Sequence, residues 1–186
     1  EDGEPAPAAE EPEPEPEAMV EHAEGDLMIP DGYSVLEGTP DGRRRTVAIV
    51  VSRFNGEITN RLLESALGAL DEAGVARDAV LVMPVPGAFE LPIAAMALAK
   101  TRRYSCVVAL GAVIRGETPH FEYVASEAAR GLGNVALAHR IAVGFGVLTT
   151  ETLAQAEARV SKGAEAVQAA LETADALERL DAASRD

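Results

Sequence analysis

Residues 115–124 read RGETPHFEYV. Gly116, Glu117, Thr118 and His120 thus stand close together, behind the apolar run CVVALGAVI and ahead of a segment with helical spacing. Where a strand hands over to a helix, the first helical amides lack partners and the helix dipole is positive there. Such a turn can hold an anion such as phosphate. An ordinary turn with Thr118 as the helix cap is the other reading of the same residues. His120 can be a packed structural residue, or an acid/base, since imidazole exchanges protons near neutral pH. The sequence gives it no second His, Cys or carboxylate at ligand spacing, so no metal site is expected.

Positioning such a segment takes a regular scaffold, and the chain supplies one from Thr46 onward. TVAIVVS, AVLVMPV, CVVALGAVI and IAVGFGVLT are short apolar runs that read as strands. Between them lie EITNRLLESALGALDEAG, with Ile58, Leu62, Ala66, Leu67 and Leu70 near helical spacing and Gly74 as a stop, and FELPIAAMALAKTRR, with Pro92 tolerable in a first turn. FEYVASEAARGLGNVALAH is the third helix, and a helical region from about Thr152 to Leu180 is interrupted near VSKG. Strands apolar throughout, alternating with helices, predict a parallel four-stranded sheet buried on both faces, a three-layer α/β domain. Ligands in such domains collect at the carboxyl ends of the strands.

Four loops fall at that edge: SRFNGEI, PVPGAFELP, GAVIRGETPHF and GFGVLTTET. They bring glycine-flanked amides, the rings of Phe54, Phe89 and Phe145, and one imidazole. Phe54 and Phe89 could stack on a planar ligand or simply cap the core. Arg159 and Lys162, near the break in the last helical region, could hold a second anionic group or be ordinary residues at a helix end. Neither the dinucleotide fingerprint nor the P-loop sequence is present. The residues alone lead to an α/β domain that binds a phosphate and a ring.

The formal net charge of −15 is unevenly spread: residues 1–26 hold eleven acids and no Lys or Arg, leaving twenty acids against sixteen basic residues, a net −4. That N-terminal stretch, low in complexity and rich in Pro and Glu, has little to bury and is expected to be a disordered tail. Residues 27–45 carry turn signals at Asp31-Gly32 and Asp41-Gly42. The expected division is therefore a tail and linker over 1–45 and an α/β domain over 46–186. A negative surface argues against nucleic acid, no apolar stretch approaches a membrane span, and a single cysteine, Cys106, fits a reducing, cytoplasmic setting.

Taken together, SRFN, VPGAFELP, VVALGAVIRGETPHFEYVASEAARGL, GFGVLTTETLAQA and KGAEA, in this order between Thr46 and Leu180, resemble the lumazine synthase family. The resemblance implies a flavodoxin-like α/β/α fold and a riboflavin-pathway transferase. That enzyme condenses 5-amino-6-(D-ribitylamino)uracil with 3,4-dihydroxy-2-butanone 4-phosphate, without a cofactor, releasing phosphate and water. It implies Phe54 against the pyrimidine, with Ala88, Phe89, Glu90, Ala112, Val113 and Ile114 around the pyrimidine and ribityl chain. Glu117 and Thr118 would grip the phosphate and His120 would carry protons. It further implies a homo-oligomer, a pentamer or its multiples, with the site between subunits, so that Phe145 and Arg159 would come from the neighbour and Arg159 would pair with the phosphate. Between Arg159 and Lys162 the chain reads RVSK, shorter than the family's usual Gly- and Lys-containing connection, which leaves the size of the assembly and the placement of those two residues open. A catalytically impaired shell or scaffold paralogue, or a pyrimidine-binding protein of the same fold, are the alternative readings.

Overall fold

Six- and nine-residue runs of Val, Ala, Ile and Leu pair in parallel as the sheet: β1 (Val47–Ser52), β2 (Val80–Val85), β3 (Cys106–Ile114) and β4 (Ala142–Thr150). The computed structural model describes residues 27–185; the tail read over 1–26 lies outside the described residues. Residues 27–34 contain a turn at 31–33 and no helix or strand.

The strand order is β2-β1-β3-β4, and every pairing is parallel. Strand residues alternate in direction. Ala48, Val50, Val107 and Ala109 pack against α2 (Leu91–Lys100) and α3 (His120–His139), whereas Val47, Ile49, Cys106 and Val108 pack against α1 (Gly56–Glu72) and α5 (Lys162–Ala183). This is the three-layer, flavodoxin-like arrangement that the sequence predicts. The short α4 (Leu153–Glu157) precedes α5, and residues 158–161 between them form the expected break. In α1 the buried positions include Ile58, Leu62, Ala66 and Leu70, and Gly74 ends the segment at φ 82°.

One expectation fails in part. β2 is not buried on both faces: Leu81 and Met83 are exposed. Its composition matches the central strands, but it lies at the sheet's edge, paired on one side only among the described residues.

Close backbone contacts set α5. A Cβ on Gly144 of β4 would stand 2.2 Å from the Ala166 carbonyl oxygen, and one on Gly163 would stand 2.2 Å from that of Leu62. Glycine is what lets α5 lie so near both the sheet and α1. Cys106, the first residue of the central strand β3, is fully buried, and burial pushes its thiol up to about 12.

Asp175 of α5 ties down the chain entering β1. It accepts from the Thr39 amide at 2.9 Å and pairs with Arg45 at 2.8 Å and with Arg179 at 2.7 Å. The Thr39 amide, followed by Arg179, holds the Asp175 carboxyl below its ordinary value of 3.8. A lowered carboxylate pKa adds stability above the unfolded value, and that stability is lost as pH falls through the folded value. Asp175→Asn should therefore destabilise the protein by about 1 kcal/mol near neutral pH. Urea denaturation repeated at falling pH should show the gap to wild type closing below 3.8.

Candidate functional site

β1 and β3 are neighbours whose connections depart to opposite faces, into α1 and α3. A crevice opens between two such loops. Here it is a cavity of ≈ 390 Å³. Phe54 and Asn55 reach it from the end of β1, Gly87, Ala88 and Phe89 from the turn after β2, and Ala112, Val113 and Ile114 from β3. Gly116, Thr118, His120, Phe121 and Val124 close it from the turn and first helical residues that follow.

The register explains one wall. β1 pairs with β3 only as far as Leu110, while β3 stays paired to β4 as far as Ile114. Past Leu110, the β1-side edge of β3 has no strand partner among the described residues. The Asn55 side-chain amide takes up one group there, donating to the Ala112 carbonyl at 2.8 Å. Asn55 itself sits in the left-handed region at φ 57°, which asparagine tolerates better than most residues. The rest of this edge offers backbone donors and acceptors to a planar, polar ligand.

Two rings stand at the rim. Phe54 is 71% exposed and Phe89 60% exposed, which is too open for core caps and suited to covering a flat ligand. The N-cap of α3 is Pro119 with no side-chain cap bond, so Thr118 is not the helix cap of the ordinary-turn reading. Thr118 lines the cavity instead, beside the positive end of α3. His120 is exposed at the first helical position and lines the same cavity, which excludes a packed core role. Two exposed rings, the turn before α3 and an imidazole thus meet within one cavity.

Other residues singled out in the sequence lie elsewhere in the chain. The Glu90 carboxylate accepts from the Gly87 amide at 2.9 Å and borders a larger cavity of ≈ 490 Å³ between α2 and α3. That cavity contains Glu127 and His139 but no carboxyl end of a strand, so the smaller one is the better candidate. Glu117 is exposed on the turn and does not line the cavity. Phe145, at mid-β4, lies with Leu132 and Ala136 of α3 in a shallow depression. Arg159 donates to the Gln155 carbonyl at 2.9 Å, and Lys162 pairs with Glu165; neither reaches the cavity of this chain. Among the described residues no cluster of His, Cys, Asp or Glu could hold a metal ion.

The sequence reading passed over Asn55, whose role depends on a carbonyl in another strand, and Arg115. The Arg115 guanidinium bonds Glu151, lies 3.4 Å from Glu122 and sits 4.1 Å over the Phe121 ring. Glu151, the foremost cause, holds it protonated above its already high ordinary value.

Comparison with protein families matches residues 44–178, well over half of the chain, to 6,7-dimethyl-8-ribityllumazine synthase. The chain belongs to that family. Lumazine synthases act in riboflavin biosynthesis, and the matched region contains all four strands and every residue of the cavity.

Replacing Asn55 separates its two contributions. Asn55→Gly keeps the left-handed backbone but loses the bond to Ala112, for an expected cost of about 1 kcal/mol. Asn55→Ala adds left-handed strain, for about 2 kcal/mol in all. Urea unfolding of both variants gives the order, and equal losses would show that the turn carries no strain.

Proposed function

We propose that the chain condenses 5-amino-6-(D-ribitylamino)uracil with 3,4-dihydroxy-2-butanone 4-phosphate to give 6,7-dimethyl-8-ribityllumazine, phosphate and water. The observation that carries this reading is the single cavity in which the Phe54 ring, the free edge of β3, the Gly116–Thr118 turn and His120 meet, in a chain of this family.

In this reading the pyrimidine lies against Phe54 and the Ala112–Ile114 edge, with its ribityl chain toward Ala88, Phe89 and Glu90. The phosphate rests on backbone donors near Glu117 and on the Thr118 hydroxyl. The Glu117 carboxylate turns away from it, since like charges repel. The substrate amine attacks the ketone, water leaves as the Schiff base forms, and phosphate departs to give an enol that tautomerises to a second ketone. The ribityl-bearing nitrogen attacks that ketone, and the ring closes with loss of a second water. His120 shuttles the protons. Holding both reactants together and fixing donors at the phosphate supply much of the remaining acceleration. No cofactor is needed. A second copy brings Phe145 and Arg159 to the cavity, with Lys162 nearby, in a cytoplasmic pentamer or a multiple of it. Residues 1–45 then serve as a solubilising tail and linker to the catalytic domain over 46–186.

Arg159 and Lys162 already have partners within their own chain, on Gln155 and Glu165. This favours the second reading, an assembling paralogue with impaired turnover. Product formation separates the two.

Mixing both substrates with purified protein should release phosphate in step with the rise of lumazine absorbance. His120→Ala should lower kcat by about 10²–10⁴-fold while melting temperature and assembly size stay unchanged. Coupled signals that survive this substitution would remove His120 from the mechanism, and their absence from wild type would favour the paralogue. Deleting residues 1–26 should leave turnover and melting temperature alike; a large fall in either would mean that this stretch docks on the domain.

A further inference from the structure

We propose that Arg115 is a positioning residue for this reaction: it clasps the loop 115–121 shut and so sets the Gly116–Thr118 turn and His120 for the phosphate substrate. The proposal rests on the functional reading above.

Residues 115–120 are all exposed, and Phe121 is the first buried residue after them. Packing therefore fixes the loop only at its ends. At the first end, the Arg115 amide donates to the Thr150 carbonyl at 2.9 Å, carrying the β3–β4 ladder one residue past Ile114. At the other end its guanidinium lies 4.1 Å over the Phe121 ring, so one side chain joins both ends of the loop. Glu151 bonds the same guanidinium from the β4–α4 connection, and Glu122 approaches it from the first turn of α3. Glu151 is in turn fixed, since its amide donates to the Gln155 side chain at 2.8 Å. A planar fork with several donors can hold two carboxylates and a ring face at once, which a lysine cannot.

A cation next to an anion turn invites the simpler assignment of direct phosphate ligand. Two carboxylates on the guanidinium argue against it: they neutralise the charge and take up Nε and Nη2, so a phosphate could not be gripped by the paired fork. The two assignments predict opposite signs for one substitution. If Arg115 bound the phosphate, Glu151→Gln would release it and tighten that substrate. If Arg115 is the clasp, Glu151→Gln loosens the loop and weakens it. The pyrimidine contacts at Phe54, Phe89 and the β3 edge lie outside the loop, so pyrimidine binding should be spared.

The experiment compares wild type, Arg115→Met, Glu151→Gln and the double variant in the full chain. In each single variant KM for the butanone phosphate should rise about tenfold, with pyrimidine KM unchanged. The double variant should be no worse than the worse single, as for groups acting as a unit. Cleavage after Glu117 by a glutamyl endopeptidase, mapped by fragment mass, should quicken about tenfold in all three variants at unchanged melting temperature. Cleavage at the wild-type rate, an unchanged KM for the butanone phosphate, additive losses, or a tighter phosphate substrate in Glu151→Gln would each overturn the proposal. The cleavage assay needs no turnover, so an inactive wild type would refute the functional reading separately, while the clasp would still be decided.

Discussion

The site depends on the adjacency of β1 and β3, in parallel, with their chains departing to opposite faces of the sheet. α1 must then pack with α5 on one side and α3 with α2 on the other, which leaves a crevice between the two exits. The pairing also stops at Leu110 on the β1 side while β3 continues to Ile114. A free strand edge is ordinarily a liability. Here it forms one wall of a small cavity, and the Asn55 side chain satisfies one of its groups.

Two kinds of force act at different depths. The sheet and its helices are held by Val, Ile, Leu and many Ala, and the small residues let backbones approach closely, as Gly144 does beneath α5 and Gly163 of α5 does against α1. The loops above bury little apolar surface of their own, and Phe54 and Phe89 stand exposed. They are fixed by individual polar contacts: Asn55 to Ala112, the Gly87 amide to Glu90, and Arg115 to its two carboxylates. Burial thus decides the fold, whereas directed contacts that bury little decide where the functional groups point.

The division between what was and was not legible in the sequence follows the same line. β3 could be read from its residues because a strand buried on both faces has a distinctive apolar run, and α1 because its spacing repeats. The exposed face of β2 could not, since edge or centre is a property of the sheet and AVLVMPV reads alike in either place. The clustering of Phe54, Phe89, Thr118 and His120 followed from the rule that strand ends converge in parallel α/β sheets. Asn55 and Arg115 escaped notice because their partners are Ala112 and Glu151, remote in sequence. Phe145, Arg159 and Lys162, which the family resemblance links to the site, lie away from the cavity of their own chain.

Cys106 begins β3, hydrogen-bonded into the sheet between β1 and β4, with a thiol that stays protonated well beyond neutral pH. Loops at the rim can open and close without uncovering it, because its cover is the sheet and the α1–α5 layer together. A thiol reagent reaches the sulfur only when those layers part, since the thiolate is the reactive form and burial suppresses it. The chain therefore contains its own label for global unfolding, silent to motions of the site and sensitive to separation of the central strands.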